Sequence, residues 1–155
     1  MEEQTSERLV SILRDKGLKA TKPRLVTLEL MLDTDGHHSV EDIYQTVRRG
    51  RPHISMATVY RVLEDLATLK MIGYLRLGAD KIYYERRTDR HRHSICRGCG
   101  DIRDIEPVRE CLEECAPQQS TDGFRYDTTE VIFVGLCSRC QAAPAAAHPD
   151  EAAAV

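Results

Sequence analysis

The residues best suited to chemistry in this 155-residue chain are two pairs of cysteines. Cys96 and Cys99 form one Cys-x-x-Cys pair, Cys137 and Cys140 form another, and residues 100–136 separate them. Two intervening residues let both thiolates of a pair turn toward one point, and two such pairs complete a tetrahedron of sulfur. Soft thiolates favour zinc, and a site closed by four of them is structural. The spacing therefore predicts one structural zinc ion per subunit.

Two other interpretations of these cysteines are weaker. A redox Cys-x-x-Cys motif normally opens a helix in a βαβ unit, whereas each pair here follows a β-like run. Disulfides are typical of oxidising compartments, and the polar, acidic N-terminus MEEQTSERLV does not have the pattern of a secretory signal. No apolar run approaches the length of about 20 residues that a membrane span needs. We therefore expect a cytoplasmic protein whose cysteines are reduced, with no membrane partner.

A second cluster carries harder ligands, namely histidines and carboxylates. His91 and His93 alternate in a predicted strand, so both imidazoles lie on one face, and Asp104 lies on the strand expected to pair with it. Two imidazoles and a carboxylate suit iron(II), manganese(II) or zinc. His37 lies at the entry to a predicted helix, and Glu85 ends a predicted hairpin. Taken alone the His-x-His pair is a weak signal, because most such pairs are solvated surface histidines.

The first half of the chain predicts helices that would position these residues. The first helix runs from residue 6 to Lys16 and stops before Gly17, a favourable residue just past a helix end. Thr21 can cap the second helix, and Ser39 with Asp42 predicts a capping box for the third. Ser55 caps a fourth helix that ends near residue 70. The pattern therefore predicts several short helices in succession.

The spacing of the apolar residues changes after these helices. Residues 72–77 and 81–85 read as two strands around the turn Gly78-Ala79-Asp80, which predicts a hairpin. Short helices followed by a hairpin are typical of a winged helix-turn-helix, although a helical bundle with an incidental hairpin fits the pattern equally well. Residues 1–90 hold 16 Lys/Arg against 14 Asp/Glu, and residues 91–155 hold 6 against 11. The basic excess in the first half is a weak indication of nucleic-acid binding.

The second half predicts a smaller α/β unit and a tail. Strands are expected at residues 91–96 and 101–105, a helix from Pro107, and a further β-like run at residues 128–134. Cys111 and Cys115 share one face of that helix, where we expect packing rather than redox sensing. The Ala/Pro/Asp/Glu-rich end can bury little apolar surface. The predicted fold class is α+β, divided into a domain of helices and a hairpin at 1–85, a hinge at 86–90, a zinc-containing domain at 91–141 and a disordered tail at 142–155.

Over residues 5–141 the chain resembles the ferric uptake regulator (Fur) family of bacterial metalloregulators. The matching segments are GLKAT at 17–21 with Arg24, HHSVEDIY at 37–44, ATVYRVL at 57–63, HRHSICRGCG at 91–100 and CSRC at 137–140. The resemblance implies a winged-helix domain, a small α/β dimerisation domain and a homodimeric, metal-dependent repressor. A two-fold dimer in turn predicts a pseudo-palindromic double-stranded operator with half-sites about one helical turn apart.

The resemblance also implies roles for individual residues. The iron(II) or manganese(II) that regulates the family, one ion per subunit, would be held by His37, Glu85, His91, His93 and Asp104. Some members have an additional site, whose positions here are Arg92, Cys111 and Thr129, and we expect that site to be absent.

DNA contact is predicted from the fourth helix, because recognition helices place their N-terminal residues at the major groove. Its outward residues would be Ser55, Thr58, Tyr60 and Arg61. Phosphate contacts are expected from Lys19, Arg24 and Lys81.

The subtype of regulator depends on two carboxylates. In the resemblance, Asp at position 104 is typical of peroxide-responsive repressors, whereas iron-uptake regulators carry Glu there, and Glu85 favours the iron-uptake group. We favour a peroxide sensor, with an iron-responsive repressor as the alternative. A zinc-containing redox enzyme is a more distant alternative, since no nucleophile–base pair, phosphate loop or substrate signature is found.

Overall fold

The computed structural model describes residues 2–50, 53–78, 81–106, 123 and 130–142. The chain divides into two compact units, Met1–Asp89 (unit 1) and Arg90–Val155 (unit 2). Helices and a small sheet form unit 1, and unit 2 is built on a second sheet. The predicted α+β class is confirmed. The hinge predicted at residues 86–90 stays a prediction.

Unit 1 contains the four predicted helices, which are α1 (Glu2–Asp15), α2 (Lys22–Asp33), α3 (Val40–Gly50) and α4 (Met56–Thr68). The first begins at Glu2, earlier than residue 6, and ends at Asp15, one residue before the predicted end at Lys16. Gly17 has a φ of +76°, and Leu18 N–H donates to the Leu13 carbonyl at 2.9 Å. This is the bond pattern of a glycine-terminated helix.

The helix caps follow the sequence at two of three positions. Ser55 Oγ accepts a hydrogen bond from Thr58 N–H at 3.2 Å. Ser39 and Asp42 form the reciprocal capping box, since each accepts from the backbone N–H of the other. Thr21 occupies the cap position of α2, but its side chain makes no cap hydrogen bond. Pro23 follows two residues later and has no N–H to donate, so one of the usual capping donors is missing.

A single apolar core joins the helices of unit 1. Leu13, Leu63 and Leu66 are fully buried, and residues from all four helices contribute to the same cluster. The recognition helix predicted from the sequence, α4, contributes Val59 and Leu63 to this core as expected. The core thus holds one face of α4 inward and leaves the other face to solvent.

The sheet of unit 1 has three antiparallel strands in the order β1-β3-β2, which are β1 (His38–Ser39), β2 (Gly73–Leu77) and β3 (Lys81–Glu85). The hairpin of β2 and β3 was predicted. Strand β1 was not, because two residues are too short to show an alternating pattern. The hairpin therefore belongs to a sheet that packs with the helices, which is the winged arrangement rather than an incidental hairpin on a bundle.

Unit 2 is organised around a sheet of order β5-β4-β6, made of β4 (Arg92–Cys96), β5 (Ile102–Ile105) and β6 (Ile132–Gly135). Strand β5 runs antiparallel to β4, and β6 runs parallel to it. Of the strand expected at residues 128–134, residues 128–129 lie outside the described part, residues 130–131 are not in a strand, and β6 ends at Gly135, one residue later than predicted. A short helix that was not predicted, α5 (Ser138–Ala142), follows β6.

Several predicted features lie outside the described residues. They are the helix from Pro107, Cys111, Cys115, Thr129, the turn residues Ala79 and Asp80, and the tail beyond residue 142.

Candidate metal centres and nucleic-acid interface

The sheet of unit 2 brings the two cysteine pairs together. Cys96 ends β4 and Cys99 lies in the turn that follows, while Cys137 and Cys140 lie just after β6. Because β4 and β6 are parallel neighbours, their ends meet at one edge, where Cys96 is opposite Gly135. One sulfur from each of the four cysteines lies within 4.8 Å of the others. The spacing prediction and the fold therefore agree on one cluster of four sulfur atoms.

The four thiols differ in acidity because they contact one another. Cys137 N–H donates a hydrogen bond to Cys96 Sγ at 3.2 Å, which lowers the pKa of the Cys96 thiol to about 6. The pKa of Cys137 is also lowered, chiefly by the backbone N–H of Cys140. The neighbouring Cys137 side chain instead raises the pKa of Cys140 to about 12. Full ionisation of this cluster needs a cation among the sulfurs, and a zinc ion fits that donor set.

A disulfide does not fit this arrangement, and a residue larger than glycine at position 98 would be crowded. All four cysteines are free thiols, and Cys99 Sγ is 3.8 Å from Cys137 Sγ, well beyond a disulfide bond of about 2 Å. Gly98 lies where the first pair passes closest to the second. A Cβ atom there would lie 3.0 Å from Cys140 Sγ and 3.2 Å from Leu136 Cδ2. Glycine thus lets the two pairs approach.

Unit 2 also assembles three of the harder ligands. His93 and Asp104 are directly opposite each other in the β4–β5 pair, and His91 immediately precedes β4. The two imidazole rings lie 4.4 Å apart, centroid to centroid. Asp104 Oδ1 is 3.5 Å from His91 Nε2 and 3.9 Å from His93 Nε2. Both imidazoles are buried, whereas 31% of the Asp104 side chain is exposed.

The other two ligand candidates, His37 and Glu85, lie close together in unit 1. His38 pairs with Tyr84 across β1 and β3, so the next antiparallel position brings His37 opposite Glu85. His37 Nε2 lies 3.5 Å from Glu85 Oε2, and only 3% and 5% of these side chains are exposed. Gly73 lies opposite Glu85 on β2, and a Cβ atom there would collide with the Arg87 carbonyl oxygen. The short strand β1, which the sequence did not reveal, is therefore what sets this pair.

An ion pair supports the same end of unit 1. Arg86 Nη2 lies 2.8 Å from Asp35 Oδ1, and Arg86 Nη1 donates to the Leu32 carbonyl at 3.3 Å. Arg86 follows Glu85 and Asp35 precedes His37 by two residues. The ion pair therefore connects the residues near His37 and Glu85 to each other. The hydrogen bond to Leu32 connects them to the end of α2.

The predicted DNA-contacting residues of α4 divide into two groups. Tyr60 and Arg61 are exposed, with 44% of Tyr60 accessible to solvent. Ser55 and Thr58 instead contact each other through their hydroxyl groups at 2.8 Å, as part of the helix cap. Tyr60 and Arg61 are therefore accessible to a partner, whereas Ser55 and Thr58 stabilise the first turn of α4.

The predicted phosphate contacts divide in a similar way. Lys19, after α1, and Lys81, at the start of β3, are exposed. Arg24 Nη2 donates to Asp65 Oδ2 of α4 at 2.7 Å. A groove of about 510 Å³ lies between the start of α2 and α4, and Arg24, Arg61 and Asp65 are among its lining residues.

Comparison with known proteins identifies the family. The model of the ferric uptake regulator family matches residues 15–134, more than half of the chain. The chain belongs to the ferric uptake regulator family. It is 35% identical over 130 residues to the transcriptional regulator FurA of Mycobacterium tuberculosis, covering 83% of this chain and 86% of FurA. It is 33% identical over 138 residues to the ferric uptake regulation protein of Campylobacter jejuni, covering 86% and 87%.

The likeness extends to three dimensions. The ferric uptake regulator of Francisella tularensis, solved with iron, aligns with a TM-score of 0.66 at 26% identity, over 81% of this chain and 96% of that one. As a Fur-family protein, the chain is a metal-dependent transcriptional regulator that binds operator DNA as a dimer. The family consists of regulators, so the interpretation as a redox enzyme is set aside. Within the described part of the chain, no helix combines the length and apolar character that a membrane span requires.

Sequence reasoning missed four supporting residues. Asp65 lies four positions after Arg61, a helical spacing that could have been noticed. Gly98 is inside the Cys-x-Gly-Cys motif, where a glycine signals a close approach. The Asp35–Arg86 pair joins residues that are far apart in the chain, and no local pattern indicates it.

Proposed function

We propose that this Fur-family protein is a repressor whose two units are joined by one regulatory ion per subunit. The observation that carries the proposal is that each unit holds its own group of side chains that can act as metal ligands. Unit 2 offers His91, His93 and Asp104, and unit 1 offers His37 with Glu85. Together they supply three imidazoles and two carboxylates, a set that suits iron(II) or manganese(II). The four cysteines of unit 2 would hold a separate structural zinc ion.

A ligand set divided between two units explains how the ion would control DNA binding. An ion that takes ligands from both units favours one angle between them, because its affinity for that arrangement is higher than for any other. In a dimer, this angle sets the separation of the two α4 helices. The ion therefore selects the shape that fits two successive major grooves. Because the operator lies on the bacterial chromosome, the proposal includes a cytoplasmic location.

The DNA-contacting residues in this proposal are Tyr60 and Arg61 for base edges, with Lys19 and Lys81 on phosphates. These assignments are supported by the exposure of the four side chains on α4, on the loop after α1 and on the β2–β3 hairpin. Replacing Tyr60 and Arg61 together by Ala should lower specific operator affinity by about 1–3 kcal/mol per lost base contact. Anisotropy with an operator duplex selected from random DNA would measure this. Unchanged affinity in the folded variant would refute the assignment.

The dimer surface in this proposal is the outer edge of β6. Among the described strands β6 pairs with β4 alone, and its Phe133 and Val134 are 48% and 68% exposed. An exposed apolar edge strand is a template for pairing with a second copy. Val134→Lys should therefore weaken the dimer in analytical ultracentrifugation, whereas Arg103→Ala on the opposite edge strand should not. Equal sedimentation of both variants would contradict this surface.

We propose peroxide as the signal, on the strength of Asp104. Its side chain is one methylene shorter than that of Glu and would hold an ion closer to the β5 backbone. Its partial exposure would give a small solute access to that side of the ligand set. When bound, iron(II) would activate hydrogen peroxide for cleavage of its O–O bond. Peroxide is the two-electron oxidant: one of its oxygen atoms is added to the imidazole ring of His37 or His91, and the other leaves as water. A histidine changed in this way no longer serves as a ligand, so the units separate and the repressor leaves DNA.

An iron-responsive repressor is the second candidate. Glu85 favours it, as do the names of the relatives, FurA and ferric uptake regulation protein. In that case occupancy of the ligand set alone would control DNA binding. Chelation would release the operator, and peroxide would leave the histidines unchanged.

One experiment separates the two candidates. Protein loaded anaerobically with iron(II) is treated with peroxide, and then assayed for operator binding and for added oxygen by mass spectrometry. The peroxide proposal expects one added oxygen on the peptides holding His37 or His91, with loss of binding, and no such change in the manganese(II)-loaded protein. Asp104→Glu should blunt the response while keeping metal-dependent binding. Unmodified histidines and intact binding in iron-loaded protein would establish the iron-responsive candidate instead.

A further inference from the structure

An ion pair connects the start of α2 to the middle of α4. Arg24 Nη2 lies 2.7 Å from Asp65 Oδ2, and the same guanidinium donates through Nη1 to the Lys19 carbonyl at 3.3 Å. The pair is partly buried, with 23% of the Arg24 side chain and 42% of the Asp65 side chain exposed. A charge-assisted bond of this length is among the stronger kinds of hydrogen bond. Arg24 is therefore already engaged when the protein is free of DNA.

Asp65 has a second cation within helical reach. Arg61 lies four residues earlier on α4, and side chains at i and i+4 are neighbours on a helix surface. Both residues line the groove between α2 and α4 together with Arg24. Within the described residues Arg61 has no ion pair. The Asp65 carboxylate thus has two possible partners and in the structure takes Arg24.

We propose that Arg24 is a positioning residue for DNA recognition: by binding Asp65 it keeps that carboxylate from pairing with Arg61. This inference rests on the proposed contact between Arg61 and DNA. Without Arg24, the Asp65 carboxylate lies one turn from Arg61 with its charge uncompensated. It then both attracts the Arg61 guanidinium and repels the phosphates that approach the groove. Arg24 acts through Asp65 instead of contacting a phosphate itself.

The two possible roles of Arg24 predict opposite results for a double variant. If Arg24 acts through Asp65, Arg24→Ala weakens operator binding by about fivefold, since a partly exposed ion pair contributes up to roughly 1 kcal/mol. Removing the carboxylate charge then removes the cause, so Arg24→Ala with Asp65→Asn should return to within about twofold of the unchanged protein. If Arg24 contacts phosphate, the double variant stays weak, and the dependence of log affinity on log salt falls by about one.

The experiment measures operator affinity by anisotropy at several salt concentrations, using full-length, manganese(II)-loaded protein and the selected operator duplex. Glu29→Gln is the matched control, because it removes the same charge from an exposed position of α2 that does not line the groove. Combined with Arg24→Ala it should not restore binding. Arg24→Lys, which keeps a cation beside Asp65, should retain most of the affinity, and thermal melts establish that each variant is folded.

The experiment distinguishes failure of this inference from failure of the proposed contact between Arg61 and DNA. Arg61→Ala with unchanged affinity would overturn that proposal and this inference together. If Arg61→Ala weakens binding but Asp65→Asn does not rescue Arg24→Ala, only this inference is overturned. Rescue by Glu29→Gln equal to that by Asp65→Asn would also overturn it, because a general charge effect would then suffice. Rescue by Asp65→Asn alone, with an unchanged salt slope, establishes the positioning role.

Discussion

Unit 1 has a continuous apolar core, whereas the described part of unit 2 is organised around its thiols. In unit 1, Leu13, Met31, Leu63 and many neighbours form one buried cluster across four helices. In unit 2, across residues 91–106 and 130–142, Cys96 is the one buried apolar side chain. Core burial distributes stability over many residues, while a metal cluster concentrates it in a few ligands. The two units should therefore fail for different reasons.

The largest expected difference comes from removing the zinc site. Cys96→Ser should abolish zinc retention and lose the structure of unit 2, because structural zinc contributes about 10–16 kcal/mol to the folding of small domains. Unit 1 should keep its helices, since its core contains none of these ligands. Amide hydrogen exchange would show loss of protection in β4–β6 and retained protection in α1–α4. Cys111→Ser is the control for the chemical change, and a zinc-loaded, stable Cys96→Ser dimer would contradict the prediction.

A core truncation should produce the opposite pattern. Leu63 is fully buried, and Leu63→Ala should lower the free energy of unfolding of unit 1 by about 2–5 kcal/mol. Zinc content should not change. Urea unfolding followed by helical circular dichroism measures the loss. Met56→Ala, on the exposed start of the same helix, should change the same quantity by less than about 0.5 kcal/mol. Comparable losses in both variants would mean that α4 is not held through its inner face.

A smaller effect is expected at a helix cap. Ser39 Oγ accepts from Asp42 N–H at 3.1 Å, so Ser39→Ala should destabilise unit 1 by about 1 kcal/mol. Gln45→Ala, exposed on the same helix, provides the comparison. The readout is again the midpoint of urea unfolding, with zinc content expected to be unaffected. A Ser39→Ala midpoint equal to that of Gln45→Ala would show that the cap contributes nothing measurable.

The smallest effect near neutral pH concerns Tyr84. Burial raises the pKa of Tyr84 to about 12, above the ordinary value of 10.0. The folded state thus prefers the neutral phenol, and this contribution is present in full below pH 10 and is lost as the pH rises toward 12. Tyr84→Phe should leave stability nearly unchanged at pH 7 and flatten its decline between pH 10 and 12. Tyr74→Phe, at an exposed position, should not flatten it, and parallel pH profiles for all three proteins would refute the assignment.

Much of the candidate site was predictable because its signals are local. The Cys-x-x-Cys spacing, the alternation of side chains in a strand and the capping serines each involve residues only a few positions apart. Over that distance, backbone geometry dictates which side chains meet. The sequence therefore indicated the zinc cluster, the strand carrying His93, the α4 helix and the capping box of Ser39. Membership of the Fur family was also readable from the spacing of these motifs along the chain.

What only the tertiary structure decided involves residues far apart in the chain. The pairing of β1 with β3 brings His37 opposite Glu85, although a two-residue strand carries no periodic signal. The choice of Asp65 as the partner of Arg24 depends on how α2 and α4 pack, and neither helix by itself indicates it. Sequence determines local conformation through sterics and hydrogen bonding between near neighbours. Which distant charges come within bonding distance is set by the packing of the apolar core, which no short segment specifies alone.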